Sequence, residues 1–466
     1  MMKFVYFTLF FQATLLLQLG ETVTSWASLE NDSKLADNLT TYPSPARNGQ
    51  ESLFSLATAS TTGTRALPLL SSYRAHTVQF GGGEMALTAT AKVEGKGRPC
   101  MLANATILGD GTFPLIAVSN CSDLTVINVT FLHGMSTQQG GCLQLQDVPH
   151  LYIESSQFRD CHAVVGGGGV AILPSSRQPI QSVHLHDVLF DSTSVKVVNV
   201  SGGGGSVAFA AAGSCLLAYV YDNNTVVDMS DVVVRRSSQL LYSTSPYFYP
   251  NVTGGCFVFL WPFAHSGHDV QVTLSNLSFD SVTSMVHLSY QCYSYLDCYV
   301  SSSLFLLAFL EEHSGSGLHI HQKGGMIVNE INWSGGTGIG VGFGAYWSSH
   351  HSGDSLLFEM EGRLTMYNSG LSSYASLIAF RWSCDTSGMN SVLLFYPYTT
   401  LTLSNTTLNG ESFLFNLGWN GDTSGTNTSI VFDANTTWSL LNTSFCGGSV
   451  LFFLYWNGDT SGTNTS

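Results

Sequence analysis

The chain has 466 residues, 44% of them hydrophobic and only 10% charged, with 16 basic against 31 acidic residues for a net charge of −15. So few cations argue against a nucleic-acid binder, which needs concentrated Lys and Arg. Apolar material is ample for a long core, and the surface must be built mainly from Ser, Thr, Asn and Gly.

In chain order, Met1-Met-Lys3 is followed by an apolar run from Phe4 to Leu19 and small or polar residues from Gly20 to Ser25. This is the layout of a secretory signal, assigned to residues 1–25. An uncleaved anchor is the alternative, for which the run is slightly short. Residues 26–77 are polar, with Pro43 and Pro45, and read as a low-order arm or N-terminal cap. Asn-X-Ser/Thr sequons continue along the chain, and Asn104, Asn128, Asn199, Asn251, Asn276, Asn332, Asn405, Asn427, Asn435 and Asn442 are candidate glycan acceptors. Ten cysteines in an exported chain make disulfides an expectation. Cys292 and Cys298 are the closest pair, while Cys121, Cys142 and Cys161 are spaced to bridge or stack between structural units.

From Val78 onward, short apolar strands are punctuated by glycine. Leu124-Thr-Val-Ile-Asn-Val-Thr-Phe131 precedes Gly140-Gly-Cys-Leu-Gln-Leu145, and Val183-His-Leu-His-Asp-Val-Leu-Phe190 precedes Gly204-Gly-Ser-Val-Ala-Phe209. Alternation of this kind predicts strands with one buried face, and paired glycines predict sharp corners. A second pattern overlies the first. Trp382-Ser-Cys-Asp-Thr-Ser-Gly, Trp419-Asn-Gly-Asp-Thr-Ser-Gly and Trp456-Asn-Gly-Asp-Thr-Ser-Gly recur 37 residues apart, with weaker copies starting at Trp261, Phe309 and Trp347. A fixed period means one unit stacked on itself. A propeller has a similar period, but its blades need four hairpin-linked strands, and this chain has two or three strands per unit and few hairpin turns. The expectation is an all-β, right-handed parallel β-helix solenoid over 78–466, with repeats of roughly 23–37 residues. Because Asn464-Thr-Ser466 falls inside a repeat loop, the natural protein is expected to continue, and a membrane tether in that further region is one way it could end.

The unit Leu-x-Val-x-Asn-Val-x-Phe followed by Gly-Gly-x-Leu/Val-x-Leu/Phe resembles the right-handed parallel β-helix proteins of the pectin-lyase-like class. More narrowly, it is similar to repeats of polymorphic outer-membrane-type adhesins and of kinetoplastid dispersed-gene-family surface proteins. The resemblance implies a glycosylated, adhesin-like or coat protein at the cell surface or outside it, with glycans or other surface proteins as partners. It also implies an alternative, since pectin-lyase-like relatives include polysaccharide lyases and glycoside hydrolases.

Chemistry is sparse. Glycoside hydrolysis needs two carboxylates converging, yet Glu311-Glu312 is the one adjacent acidic pair in the repeat region. Ser266-Gly-His-Asp269 and the three Asp-Thr-Ser-Gly segments, at Asp385, Asp422 and Asp459, fall inside Trp-loop copies and read as turns. No catalytic residue and no cofactor is expected. His184-Leu-His186 and His319-Ile-His321 each set two imidazoles on one strand face, and His350-His351 adds a third cluster. No third ligand stands in register with them in the sequence, so no metal site is expected. Trp347, Trp382, Trp419 and Trp456 should form a column, either packing the end of the bore or exposed as a binding ladder.

Overall fold

The structure, a computed structural model, describes residues 54–56, 78–175, 177–198, 210–243, 252–288, 300–335, 339–372, 375–382, 385–422 and 424–457. The signal region, Asn199, Asn251, Cys292, Cys298 and Cys384 lie outside these residues, as does the arm apart from 54–56. Among the described residues there is no helix. Strands pair in parallel into a 24-stranded and a 9-stranded sheet. Phe54–Leu56, within the expected arm, pairs with Val78–Phe80.

The central coils of the solenoid follow one plan. A long strand such as Ser182–Asp191 turns a corner into a short strand, Ser194–Val198. A third strand, Ala210–Tyr219, then leads to the next long strand, Val226–Arg235. The long strand is not one continuous alternation. Val183, Leu185, Val188 and Phe190 are buried, so the inward pattern slips by one residue at Asp187, whose φ is 52°. Asn128 (φ 53°) does the same between Val126 and Val129, and Asn276 (φ 52°) between Leu274 and Leu277. One left-handed residue bends the strand and keeps both halves pointing into the bore. Asn and Asp tolerate that conformation best after glycine.

The bore is filled by stacked side chains. Phe131, Phe158 and Phe190, on successive coils, stack with ring centroids 4.8 Å and 5.0 Å apart. Full burial of each such ring is worth about 1.5–3 kcal/mol. Two disulfides staple early coils, Cys100–Cys121 and Cys142–Cys161, with Cα–Cα distances of 5.8 Å and 5.5 Å. Such bridges fit an oxidising compartment. Cys215 and Cys256 are buried thiols and Cys446 is an exposed one. Iodoacetamide applied to the folded chain should therefore label Cys446 and spare Cys215 and Cys256 until denaturant is added. Peptide mapping by mass spectrometry reads this, and labelling of Cys215 in the folded state would refute the packing.

Coil length departs from expectation. Equivalent residues on adjacent coils are separated by 24 and 27 residues early in the chain, then 44, 45 and 49, and finally 38 and 37. The repeat range of roughly 23–37 residues was too narrow for the central coils, where more chain lies between the short strand and the third strand. That stretch of chain is 199–209, 244–251 and 289–299, all outside the described residues. Flanking strands keep parallel register across all three. Cover thins at the coil containing Ser429–Phe432, where Phe432 and Leu440, register partners of buried Phe395 and Leu403, are each 43% exposed.

Candidate functional site

The Trp loops resolve into a buried column. Trp261, Phe309, Trp347, Trp382 and Trp419 follow one another coil by coil, all fully buried. Successive ring centroids lie 4.5, 5.4, 4.8 and 5.0 Å apart, and the planes of the last two pairs differ by only 2° and 3°. The indole N–H of Trp347 donates to the Gly315 carbonyl at 3.3 Å, and that of Trp382 to the Gly353 carbonyl at 3.1 Å. An exposed binding ladder is therefore ruled out for Trp347, Trp382 and Trp419. The backbone of Trp456 pairs with Trp419, and its side chain lies outside the described residues.

The Ser-Gly that closes each loop serves this column. Ser266 Oγ donates to the Phe263 carbonyl three residues back, and Ser424 Oγ to that of Gly421, at 2.5 and 2.8 Å. The following glycine lies flat under the rings at positive φ: 68° at Gly388. The acidic residues of these loops accept backbone N–H groups from the next coil. The Asp422 N–H donates to Asp385 Oδ1 at 2.8 Å, and the Met389 N–H to Asp354 Oδ1 at 3.0 Å. The His268 N–H donates to Asn223 Oδ1, and the Asp269 N–H to the Ser316 carbonyl.

The sequon asparagines sit at bends within strands and at turns. Asn104, Asn128, Asn276, Asn405, Asn427, Asn435 and Asn442 are all exposed, with φ between 48° and 65°. Most reach the preceding coil. Asn128 Nδ2 donates to Asn104 Oδ1 at 3.0 Å, Asn276 to Asp231 at 3.1 Å, Asn405 to Asn368 at 3.2 Å, Asn442 to Asn405 at 3.2 Å and Asn427 to Asn390 at 3.1 Å. Each ladder bond uses one of the two amide hydrogens. Asn332 lies in the strand Asn332–Gly335, with its side chain outside the described residues.

The histidine pairs fare differently from one another. His184 Nδ1 lies 3.7 Å from Asp228, and His186 Nδ1 lies 3.7 Å from Asp231 and 2.7 Å from Ser230 Oγ. His351 joins another column, stacking on His313, which stacks on His265 (5.0 and 4.9 Å), and its Nδ1 meets Thr386 Oγ1 at 2.5 Å. His350 Nδ1 is 3.9 Å from Asp385.

His319 and His321 sit on the outer face of the strand His319–Asn329, which pairs with Leu357–Met360 so that His321 opposes Glu359. His319 Nε2 lies 2.6 Å from Glu359 Oε2, and His321 Nδ1 lies 3.8 Å from the same oxygen. One ligand-capable atom from each of the three residues lies within 4.8 Å of the others. Glu361 Oε2 is 3.3 Å from His321 Nε2, an approach short of a formed hydrogen bond. Tyr396, one coil further on, donates its hydroxyl to Glu359 Oε1 at 2.6 Å. Partial burial pushes the Glu359 carboxyl up, but the Tyr396 and His319 hydrogen bonds and the two imidazoles outweigh it, leaving Glu359 below its ordinary value. The bond to Glu359 raises the Tyr396 phenol. This third partner went unseen in the sequence, although a signal existed. The 38-residue step that pairs Phe309 with Trp347 also carries His321 to Glu359.

The described residues thus define an all-β parallel solenoid with laddered outer faces. No family model, no curated protein and no solved structure matches the chain.

Proposed function

We propose that the chain is an exported, glycosylated β-helix repeat protein acting as an adhesin-like, coat or binding surface at or outside the cell, without catalysis. The resemblance to pectin-lyase-like surface repeats supports this reading, as do the N-terminal signal layout, the exposed sequons and the two disulfides. A neutral, hydroxyl- and amide-rich face of this length suits glycans or other surface proteins as partners.

The observation that carries the proposal is how the polar groups are used. The Asn, Ser and Asp side chains of the outer corners are spent on coil-to-coil ladders, as in Asn128 to Asn104, Ser155 to Asp187 and Asn276 to Asp231. A glycosidase or lyase needs carboxylates held free and convergent on a sugar. The test is incubation of the purified chain with pectins, alginate and glycosaminoglycans, read for unsaturated uronides and new reducing ends, beside a binding assay on the same immobilised glycans. Saturable binding without product is expected. Release of product would replace this reading with a carbohydrate-active enzyme.

A further inference from the structure

The geometry points to a divalent-metal site of the zinc class on the outer face of the solenoid, formed by His319, His321 and Glu359. It is independent of the adhesin reading above.

The argument starts from donor type. Two imidazoles and one carboxylate are the N2O set that zinc and its first-row neighbours favour, whereas calcium and magnesium need many oxygens. Zinc binds nitrogen at about 2.0–2.1 Å and oxygen at about 2.0–2.2 Å, which places tetrahedral ligand atoms roughly 3.3 Å apart. The present separations, 2.6 Å for His319 Nε2 to Glu359 Oε2 and 3.8 Å for His321 Nδ1 to the same oxygen, bracket that value. Small side-chain rotations suffice to bring all three onto one ion.

The surroundings match what such a site needs beyond its ligands. Metal-bound histidines pass their second nitrogen to a carboxylate or carbonyl, and ligating carboxylates are themselves hydrogen-bonded. His321 turns Nδ1 toward Glu359 and Nε2 toward Glu361, 3.3 Å away. That Nε2 is buried and lacks a hydrogen-bond partner, and a cation on Nδ1 would fix the tautomer that donates from Nε2 to Glu361. Tyr396 already occupies Glu359 Oε1, leaving Oε2 for the ion. The two glutamates offset a dication, and His319, with 40% of its side chain exposed, leaves the site open to a water as fourth ligand. The ligands come from two adjacent coils and the supporting tyrosine from a third, so an ion here would fasten three turns of the solenoid together.

The experiment is Zn2+ titration of the full chain by calorimetry, with Co2+ as a visible-spectrum probe. One Zn2+ per chain at this site is expected, with Co2+ giving ligand-field bands of a four- or five-coordinate nitrogen and oxygen site. H319A, H321A and E359Q should each weaken binding at least tenfold. E361Q, which touches no ion, should weaken it by roughly 10- to 100-fold. H184A, in the other strand pair, should leave it unchanged. Should an alanine variant lose its circular dichroism signal, E359Q and E361Q keep the shape and charge distribution closest to native and decide the matter. Absence of stoichiometric Zn2+ binding by the native chain, or binding unchanged in E359Q and in H319A/H321A, would overturn the site and leave the cluster a hydrogen-bonded staple.

Discussion

Trp382→Ala should lower the stability of its part of the solenoid by about 3–5 kcal/mol, the usual range for removing a large aromatic side chain from a core. Trp382 is fully buried between two indoles, with centroids 4.8 Å from Trp347 and 5.0 Å from Trp419. Both neighbours are held in their own loops and cannot close the gap. Trp382→Phe separates the contributions. It keeps a ring in the stack but leaves the Gly353 carbonyl without its indole donor, so a loss of about 1–3 kcal/mol is expected. Trp347→Ala combined with Trp382→Ala should cost less than the two added, by about 0.5–1.5 kcal/mol, since the second change removes a stacking contact already gone. An array whose units touch only their neighbours need not melt in one step, so amide hydrogen exchange of the flanking strands is the decisive measurement. Exchange in Ser376–Trp382 and Phe413–Asn420 unaffected by Trp382→Ala would contradict the role given to the column.

Gly388→Ala is expected to cost roughly 2–5 kcal/mol, from two separable causes. At a φ of 68° any side chain adds roughly 1–2 kcal/mol of backbone strain. A Cβ at this position would also come within 2.7 Å of both Trp382 Cδ2 and Trp419 Nε1. Those two rings are stacked on one another, with centroids 5.0 Å apart, so overpacking adds about 1–3 kcal/mol. Gly97→Ala isolates the first cause, because Gly97 has a φ of 76° and nothing within 4 Å of an added Cβ. The difference between the two variants in thermal melts or local exchange measures the ring contact. Equal losses would mean that glycine is required in the Trp loop for its backbone alone.

These two residues also mark what sequence reading reached and where it stopped. A period of 37 residues is a statement about stacking, so the column of tryptophans was legible at once. Which way the column faced was not, because the period carries no inside or outside. The neighbouring glycine supplied that missing direction only once a ring was seen lying on it. The long strand misled in a subtler way. Leu124, Val126, Val129 and Phe131 look like one alternating stretch until the slip at Asn128 is noticed, and that slip is a left-handed bend.

The same bend explains the abundance of sequons. Asparagine is selected at these corners for its backbone tolerance and its ladder bond, and hydroxyl residues are common throughout the chain. Asn-X-Ser/Thr therefore arises from the fold whether or not sugar is attached. The metal cluster was hidden for another reason. Local spacing finds ligands on one strand, whereas a solenoid brings the third from a full turn away, and only adding one coil length to His321 reaches Glu359.

Finally, the corner after each short strand makes this fold forgiving of changes in length. Turns whose register partners lie 24 residues apart and turns whose partners lie 49 apart are closed by the same ladder of strands. A frame that restores its phase once per turn confines an insertion or deletion at that corner to the turn that receives it. Segments spliced in there would emerge in a single file along one edge, at intervals of about 4.8 Å per coil. The molecule can thus vary its outline along that edge while the register of the remaining turns stays fixed.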